Sequence, residues 1–130
     1  MRIKLILTIL LLILAACSSD APEFSFDDVP EAGDAGNGQK IFTQSINSAP
    51  PCSSCHTTDT VDRTGPGLEN YGEIAGERVD DESADEYTYW SIVRPTRYIV
   101  SGFSNVMYDK YDEALSPEDV ADLIAYLLEL

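Results

Sequence analysis

The residues best suited to carry chemistry lie in one short segment, Cys52-Ser53-Ser54-Cys55-His56, which contains the only histidine among the 130 residues. Two cysteines three positions apart lie about one helical turn apart on the same face, so both thiols can add to the two vinyl groups on one edge of a porphyrin. His56, one residue further on, can then give the iron an imidazole nitrogen as its proximal ligand. This spacing predicts a site of covalent haem attachment.

Three other kinds of site use the same residue types. A structural zinc site needs four Cys or His ligands, and the chain has no second pair to complete the set formed by Cys52, Cys55 and His56. A thioredoxin-like dithiol would sit in a βαβ pattern, for which the sequence gives no signal. A plain disulfide, or a chance occurrence of the spacing, is the third alternative. Haem attachment is the favoured interpretation.

The amino terminus has the layout of a secretory signal. Met1-Arg2-Ile3-Lys4 is a basic start, and the apolar run that follows, Leu5 to Leu14, is short for a membrane-spanning helix. Leu14-Ala15-Ala16-Cys17 resembles the lipobox of bacterial lipoproteins, which implies that residues 1–16 are cleaved and that Cys17 is acylated. An uncleaved anchor helix is the alternative. We therefore expect an extracytoplasmic protein, anchored by lipid to a bacterial membrane.

The mature chain is strongly acidic. Removal of residues 1–16 takes Arg2 and Lys4 from the eight basic residues and none of the 23 acidic ones, which leaves a net charge of −17. Nucleic-acid binding depends on clustered Lys and Arg, so this charge argues against a nucleic-acid partner. It favours salt-sensitive encounters with redox proteins that have basic docking surfaces. An acidity that only keeps the domain soluble is the alternative.

The mature chain divides into a linker and one domain. Residues 17–32 combine prolines and acids with little periodicity and predict a flexible linker with a reach of roughly 20 Å. Phe24 and Phe26 could instead pack on the domain and shorten this linker. Residues 33–130 have the size of one small domain with a modest core.

Three helices are predicted in this domain from their end signals. Asp34 can cap a first helix that ends near residue 45, and Ser83 can cap a middle helix that ends near Arg94. Ser116-Pro117-Glu118-Asp119 combines a hydroxyl cap, a first-turn proline and acidic residues, and predicts a last helix that runs to the carboxyl terminus. Strand signals are weak.

Four further groups of residues accompany the CxxCH motif in a consistent order. They are Gly33-Asp34-Ala35 with Gly38 and Phe42, then Gly65-Pro66-Gly67-Leu68, then Tyr89-Trp90-Ser91-Ile92-Val93-Arg94-Pro95, and finally Leu115-Ser116-Pro117-Glu118-Asp119 leading into Ala125-Tyr126-Leu127. Together they resemble a class I monohaem cytochrome c, in its bacterial lipoprotein form, over residues 33–130. The resemblance implies an all-α fold in which the first and last helices cross around one covalently bound haem c. It also implies that Gly38 and Phe42 meet the last helix near Tyr126.

The resemblance implies one axial arrangement in particular. The Pro66 carbonyl would accept a hydrogen bond from the His56 imidazole and so fix the orientation of the ring. Met107 follows as the sixth ligand by elimination, because it is the only methionine left after signal cleavage and no second histidine exists. Tyr108 stands where family members often have proline, so the loop would be less rigid. A Met107 that only filled the core would leave the iron an open position.

Axial ligation determines the expected function. A His/Met pair raises the reduction potential of haem iron, and with both axial positions filled little room remains for a substrate. The sequence therefore predicts a one-electron carrier that is not an enzyme. A fixed subunit of a respiratory or photosynthetic complex is one alternative, and a gas sensor or peroxidase with an open sixth position is another.

Charged and aromatic residues indicate where the haem propionates and a partner would bind. Candidates to hydrogen-bond or pair with the propionates are Trp90, Arg94, Arg97 and Tyr98, although Trp90 could equally be a core residue. Two acidic clusters could dock a basic partner or form solvated faces; they are Asp80, Asp81, Glu82, Asp85 and Glu86, and then Asp109, Asp112 and Glu113.

Overall fold

The computed structural model describes residues 21–130, and in this range it contains helices and no strand. The α-helices of this part of the chain are α1 (Ala35–Thr43), α2 (Tyr71–Ile74), α3 (Ala84–Val93), α4 (Tyr111–Ala114) and α5 (Pro117–Leu127). Short 3-10 helices cover Phe26–Asp28, Cys52–Ser54 and Ala75–Glu77. The all-α prediction is therefore confirmed. None of the helices described here is long and apolar enough to cross a bilayer.

The predicted signal peptide, residues 1–16, and the predicted acylation site, Cys17, lie outside the described residues. Neither prediction is tested by the fold.

The three predicted helices form behind the predicted caps. The Asp34 carboxylate accepts from the backbone amide of Asn37 at 3.0 Å, at the start of α1. Ser83 caps α3 through its hydroxyl, and Ser116 makes a reciprocal capping box at the start of α5. α5 ends at Leu127, so the last residues of the chain lie beyond the helix. The single-turn helices α2 and α4 were not predicted, because four residues are too few to show a helical period.

α1 and α5 cross closely, and a glycine makes this possible. A Cβ placed on Gly38 would come within 2.0 Å of the Asp122 carbonyl oxygen, in the middle of α5. Beside it, the rings of Phe42 and Tyr126 pack with their centres 5.6 Å apart. The side chain of Asp122 also accepts from the amide of Asp34, which fixes the start of α1 on α5. The predicted crossing of first and last helices is thus present.

The segment before α1 packs on the domain from residue 23 onward, which is the alternative that Phe24 and Phe26 left open for the predicted linker over residues 17–32. The rings of Phe24 and Phe26 lie 6.2 and 5.5 Å from that of Tyr89 in α3. The Tyr89 hydroxyl donates to the Phe24 carbonyl at 2.5 Å. Two aromatic side chains thus bury apolar surface that composition alone did not count. We call residues 23–29 the strap.

A buried carboxylate holds the strap, α3 and α4 together. The Asp112 side chain is only 5% exposed, and its Oδ2 lies 3.0 Å from Nη1 of Arg94, just after α3. The same oxygen accepts from the backbone amide of Glu23 at 3.2 Å. Asp112 was predicted to belong to an exposed acidic cluster, and that prediction is wrong because α4 turns this side chain inward while its neighbour Glu113 stays exposed.

Replacement of Gly38 by alanine tests the helix crossing. We expect Gly38→Ala to lower the free energy of unfolding by about 2 kcal/mol or more, because the added Cβ forces α1 away from α5. Gly36→Ala is the matched control on the same helix, where the nearest atom is Asp34 Oδ1 at 3.1 Å. The control should change stability by less than about 1 kcal/mol. Equal losses in guanidinium unfolding would contradict this account of the crossing.

Replacement of Asp112 by asparagine tests the buried carboxylate. Asp112→Asn removes the buried carboxylate charge that pairs with Arg94 at 3.0 Å and accepts from the Glu23 amide, and should cost about 3 kcal/mol of stability. Glu113→Gln removes the adjacent carboxylate, which pairs with Lys110 at 3.0 Å in an exposed position, and should cost under about 0.5 kcal/mol. Thermal unfolding of the two variants distinguishes the roles. A loss that is no larger for Asp112→Asn would show that the contact is not structural.

Candidate haem site

A cavity of about 420 Å³ lies between the CxxCH segment, α3 and the loop before α4. Five of the predicted site residues line it; they are Cys52, Cys55, His56, Pro66 and Met107. Most of the remaining wall is apolar, with Phe42, Leu68, Ile92, Leu123 and Leu127 among its members. The fold thus brings the residues of the motif and the distant methionine to one apolar cavity.

The CxxCH residues form one tight turn. Cys52–Ser54 is a 3-10 helix, and the amides of Cys55 and His56 both donate to the Cys52 carbonyl, at 3.1 and 3.0 Å. Both cysteines are free thiols, which does not favour the disulfide alternative. Burial raises the pKa of the Cys52 thiol to about 11, so this group is protonated at neutral pH. No cluster of three or more potential metal-binding His, Cys, Asp or Glu side chains occurs within residues 21–130, which argues against zinc.

The His56 ring is held from two sides. Its Nδ1 lies 2.9 Å from the Pro66 carbonyl oxygen, and because a carbonyl only accepts, Nδ1 must carry the proton in this bond. The lone pair is then on Nε2, the nitrogen that can ligate a metal. Gly65 packs on the ring so closely that a Cβ there would come within 2.4 Å of His56 Cε1. The amide of Gly65 in turn donates to the Cys55 carbonyl at 3.0 Å, which ties the loop to the motif.

Met107 reaches the cavity from an irregular loop. The segment from Ser101 to Tyr108 contains no helix, and Gly102 adopts a left-handed backbone with a φ of 94°. Directly after Met107, the ring of Tyr108 packs edge-on against that of Tyr111 at 5.0 Å. The Tyr111 hydroxyl donates to the Pro50 carbonyl at 2.8 Å, just before the CxxCH turn. These contacts restrain the end of the loop where family members often use proline.

Trp90 and Arg97 were predicted to contact the haem propionates, and the structure does not place either on the cavity wall. The Arg97 guanidinium lies over the Trp90 ring at 4.3 Å and pairs with Glu82 at 2.5 Å. Trp90 lies on the face of α3 that points away from the cavity, and Arg97 packs on Trp90 there. Arg94 pairs with Asp112, as described above. Of the propionate candidates, Tyr98 alone lines the cavity.

Sequence reasoning missed Arg78, which does line the cavity. It follows the 3-10 helix Ala75–Glu77 and is half-buried. Burial raises the pKa of the Tyr71 and Tyr87 phenols, and the positive charge of Arg78 opposes this rise. In the sequence, Arg78 is recognisable only as a single arginine within a long acidic stretch. The fold is needed to show that it lines the cavity.

The buried phenol of Tyr71 is satisfied within the cavity wall. The Thr88 hydroxyl donates its proton to the Ala84 carbonyl at 2.6 Å, so the Tyr71 hydroxyl must be the donor in its 3.0 Å contact with Thr88. No buried side-chain nitrogen or oxygen in the described part of the chain lacks a hydrogen-bond partner. Apart from Arg78, the wall is therefore mostly apolar and its buried polar groups are satisfied, which suits a large apolar ring.

The residues present fit a covalently bound haem. Two free thiols, an imidazole with its Nε2 free and a thioether all line one apolar cavity, and an arginine is available for an acidic edge group. Soft thioether and imidazole groups are the ligands that haem iron takes in electron-transfer proteins.

Comparison with known proteins also indicates a haem-binding protein. A sequence model of the family described as Cytochrome c matches residues 35–130, which include every residue of the cavity named above. A comparison with curated proteins finds no match. Members of the matched family carry c-type haem through thioether bonds, and one haem is typical of a small domain. The chain therefore belongs to the cytochrome c family and binds one covalent haem c.

Proposed function

We propose that this cytochrome c carries single electrons, with His56 and Met107 as the axial ligands of its haem iron and with lipid on Cys17 as its membrane tether. Family membership gives the coarser role, a haem-binding electron carrier. The finer statement rests mainly on one observation, that His56 and Met107 line the same apolar cavity. No other histidine or methionine occurs within residues 21–130.

The surroundings of both proposed ligands support this ligation. The Pro66 carbonyl keeps the proton on Nδ1 of His56, so Nε2 presents its lone pair throughout the redox cycle. Met107 supplies a soft thioether, which favours ferrous iron. Haem iron itself supplies a one-electron change between its ferric and ferrous states. With both axial positions taken by protein groups, no position remains for a substrate, and we propose that the protein is not an enzyme.

The surface charge supports docking to basic redox partners. Three of the six basic residues that remain after signal cleavage are paired with carboxylates, in the pairs Arg94–Asp112, Arg97–Glu82 and Lys110–Glu113. Asp80, Asp81 and Asp85 are exposed and form the remaining acidic docking candidate. A strongly negative surface attracts a positive partner over about a Debye length, roughly 10 Å at moderate salt. We propose a carrier that exchanges partners in preference to a fixed subunit of a complex.

The sequence supports the proposed tether and location. Cys17 behind a lipobox-like Leu14-Ala15-Ala16 accounts for a cysteine that has no role in the haem site. Acylation at this residue would hold the protein on the outer side of a bacterial membrane, where c-type haem is also attached.

Removal of the methionine thioether tests the axial ligands. Ferric wild-type holoprotein should show the weak far-red band of a sulphur–iron bond, and its ferrous form should not bind carbon monoxide at neutral pH. Met107→Ala should lose the band, bind carbon monoxide fully and have a lower midpoint potential. Asp109→Ala, at an exposed position of the same segment outside the cavity lining, should keep the band and exclude carbon monoxide. Ready binding of carbon monoxide by the wild type would instead favour an open sixth position, as in a sensor or peroxidase.

A pair of arginine variants tests which cation faces the haem. Arg78→Gln should lower the midpoint potential on the order of 50 mV, because a lost cation leaves propionate charge uncompensated and stabilises ferric iron. Arg97→Gln is the matched control, since Arg97 already pairs with Glu82 outside the cavity. Its potential should shift much less in redox titration. A larger shift for Arg97→Gln would restore the assignment made from sequence.

A further inference from the structure

The strap packs on the side of α3 that faces away from the haem cavity. Its two phenylalanines contact Tyr89, and its first residue, Glu23, is hydrogen-bonded to Asp112. The cavity-lining residues of α3 are Tyr87, Thr88, Ser91 and Ile92. Because successive residues of a helix are about 100° apart, Tyr89 lies roughly 130° from the centre of that group. The strap therefore lies on the part of α3 that faces away from the cavity, and the chain continues from there toward its amino terminus.

The docked strap leaves a short tether. Six residue steps separate Cys17 from Glu23, and such a segment spans at most about 20 Å. A domain of this length has a radius of gyration of about 13 Å, so half its circumference is on the order of 50 Å. A tether of 20 Å is too short to pass around the domain. A linker that was flexible to residue 32 would be long enough, since its extended length is about 50 Å.

We propose that the strap fixes the orientation of the domain, with the haem cavity facing away from the membrane, and that the protein serves a redox partner that docks from the aqueous side. This inference rests on the lipid tether at Cys17 in the proposed function. The strap is held by two ring contacts, the hydrogen bond from Tyr89 to Phe24 and the bond from Glu23 to the buried Asp112. A partner whose docking site lies at the level of the lipid headgroups is excluded by this geometry.

The experiment compares an electron donor in the membrane with the same donor in water. The mature holoprotein, residues 17–130, is coupled through the Cys17 thiol to a maleimide lipid in phosphatidylcholine vesicles, which makes the test independent of acylation in cells. Haem reduction is then timed with a photoreduced viologen, either linked to a lipid headgroup or free in solution. The ratio of the two rates reports the closest approach of the haem to the membrane surface.

Two variants should raise that ratio by roughly tenfold or more, because a tether too short to span two sites gives an effective concentration near zero. One inserts ten Gly and Ser residues between Asp20 and Ala21 and leaves the strap intact. The other, Phe24→Ser with Phe26→Ser, releases the strap. The matched controls are the same ten residues added after Leu130, and Asp27→Ser with Glu31→Ser at exposed positions of the same segment. Both controls should keep the wild-type ratio.

Two further readouts do not depend on electron transfer. Polarised absorption of the haem on a supported bilayer should be anisotropic for wild type and near isotropic for both variants. The Glu23 amide should resist hydrogen exchange in the wild type and lose this protection in the variant that releases the strap. Equal rate ratios for wild type and the insertion variant would overturn the inference. The mass of protein extracted from its native membrane tests acylation separately, and an unmodified Cys17 would remove the tether itself.

Discussion

The structure depends most on one hydrogen bond, from Nδ1 of His56 to the Pro66 carbonyl at 2.9 Å. It sets the tautomer of the chain's only histidine and leaves Nε2 free toward the cavity. The bond exists because the loop after the motif folds back on the CxxCH turn, with the Gly65 amide on the Cys55 carbonyl and no side chain on Gly65 to push the ring away. A haem iron that is one short turn from its two thioether cysteines needs this rigidity.

The rest of the fold holds the loop of Gly65 and Pro66 and the side chain of Met107 in fixed positions relative to each other. The crossing of α1 and α5 through Gly38 makes a rigid base, and Leu123 and Leu127 of α5 form part of the cavity wall. On the other side, Asp112 ties α4 to the end of α3, and Tyr111 of the same helix is bonded to the Pro50 carbonyl. The loop that carries Met107 therefore runs between two fixed points, α3 and α4. A small core of this kind gains much of its apolar centre from the haem.

Sequence alone predicted the features that are local. The Ser116 cap, the Asp34 cap and the CxxCH turn depend on residues a few positions apart, so their chemistry is visible in order along the chain. The Pro66 contact and the helix crossing came from family resemblance. What escaped prediction depends on tertiary contacts: whether Arg97 or Arg78 faces the cavity, whether Asp112 is buried, and whether an acidic, proline-containing segment docks. Composition cannot reveal that Phe24 packs against a tyrosine 65 residues later.

The central claim is that His56 and Met107 hold the iron from opposite faces of one ring. Proton NMR of the ferrous holoprotein tests it most directly, because a methyl group held over a porphyrin is shifted strongly upfield by the ring current. The account predicts one three-proton resonance far upfield of the ordinary methyl region, assigned to Met107 by its loss in the Met107→Ala variant. A Met107 methyl resonance at an ordinary position in the ferrous protein would contradict the account.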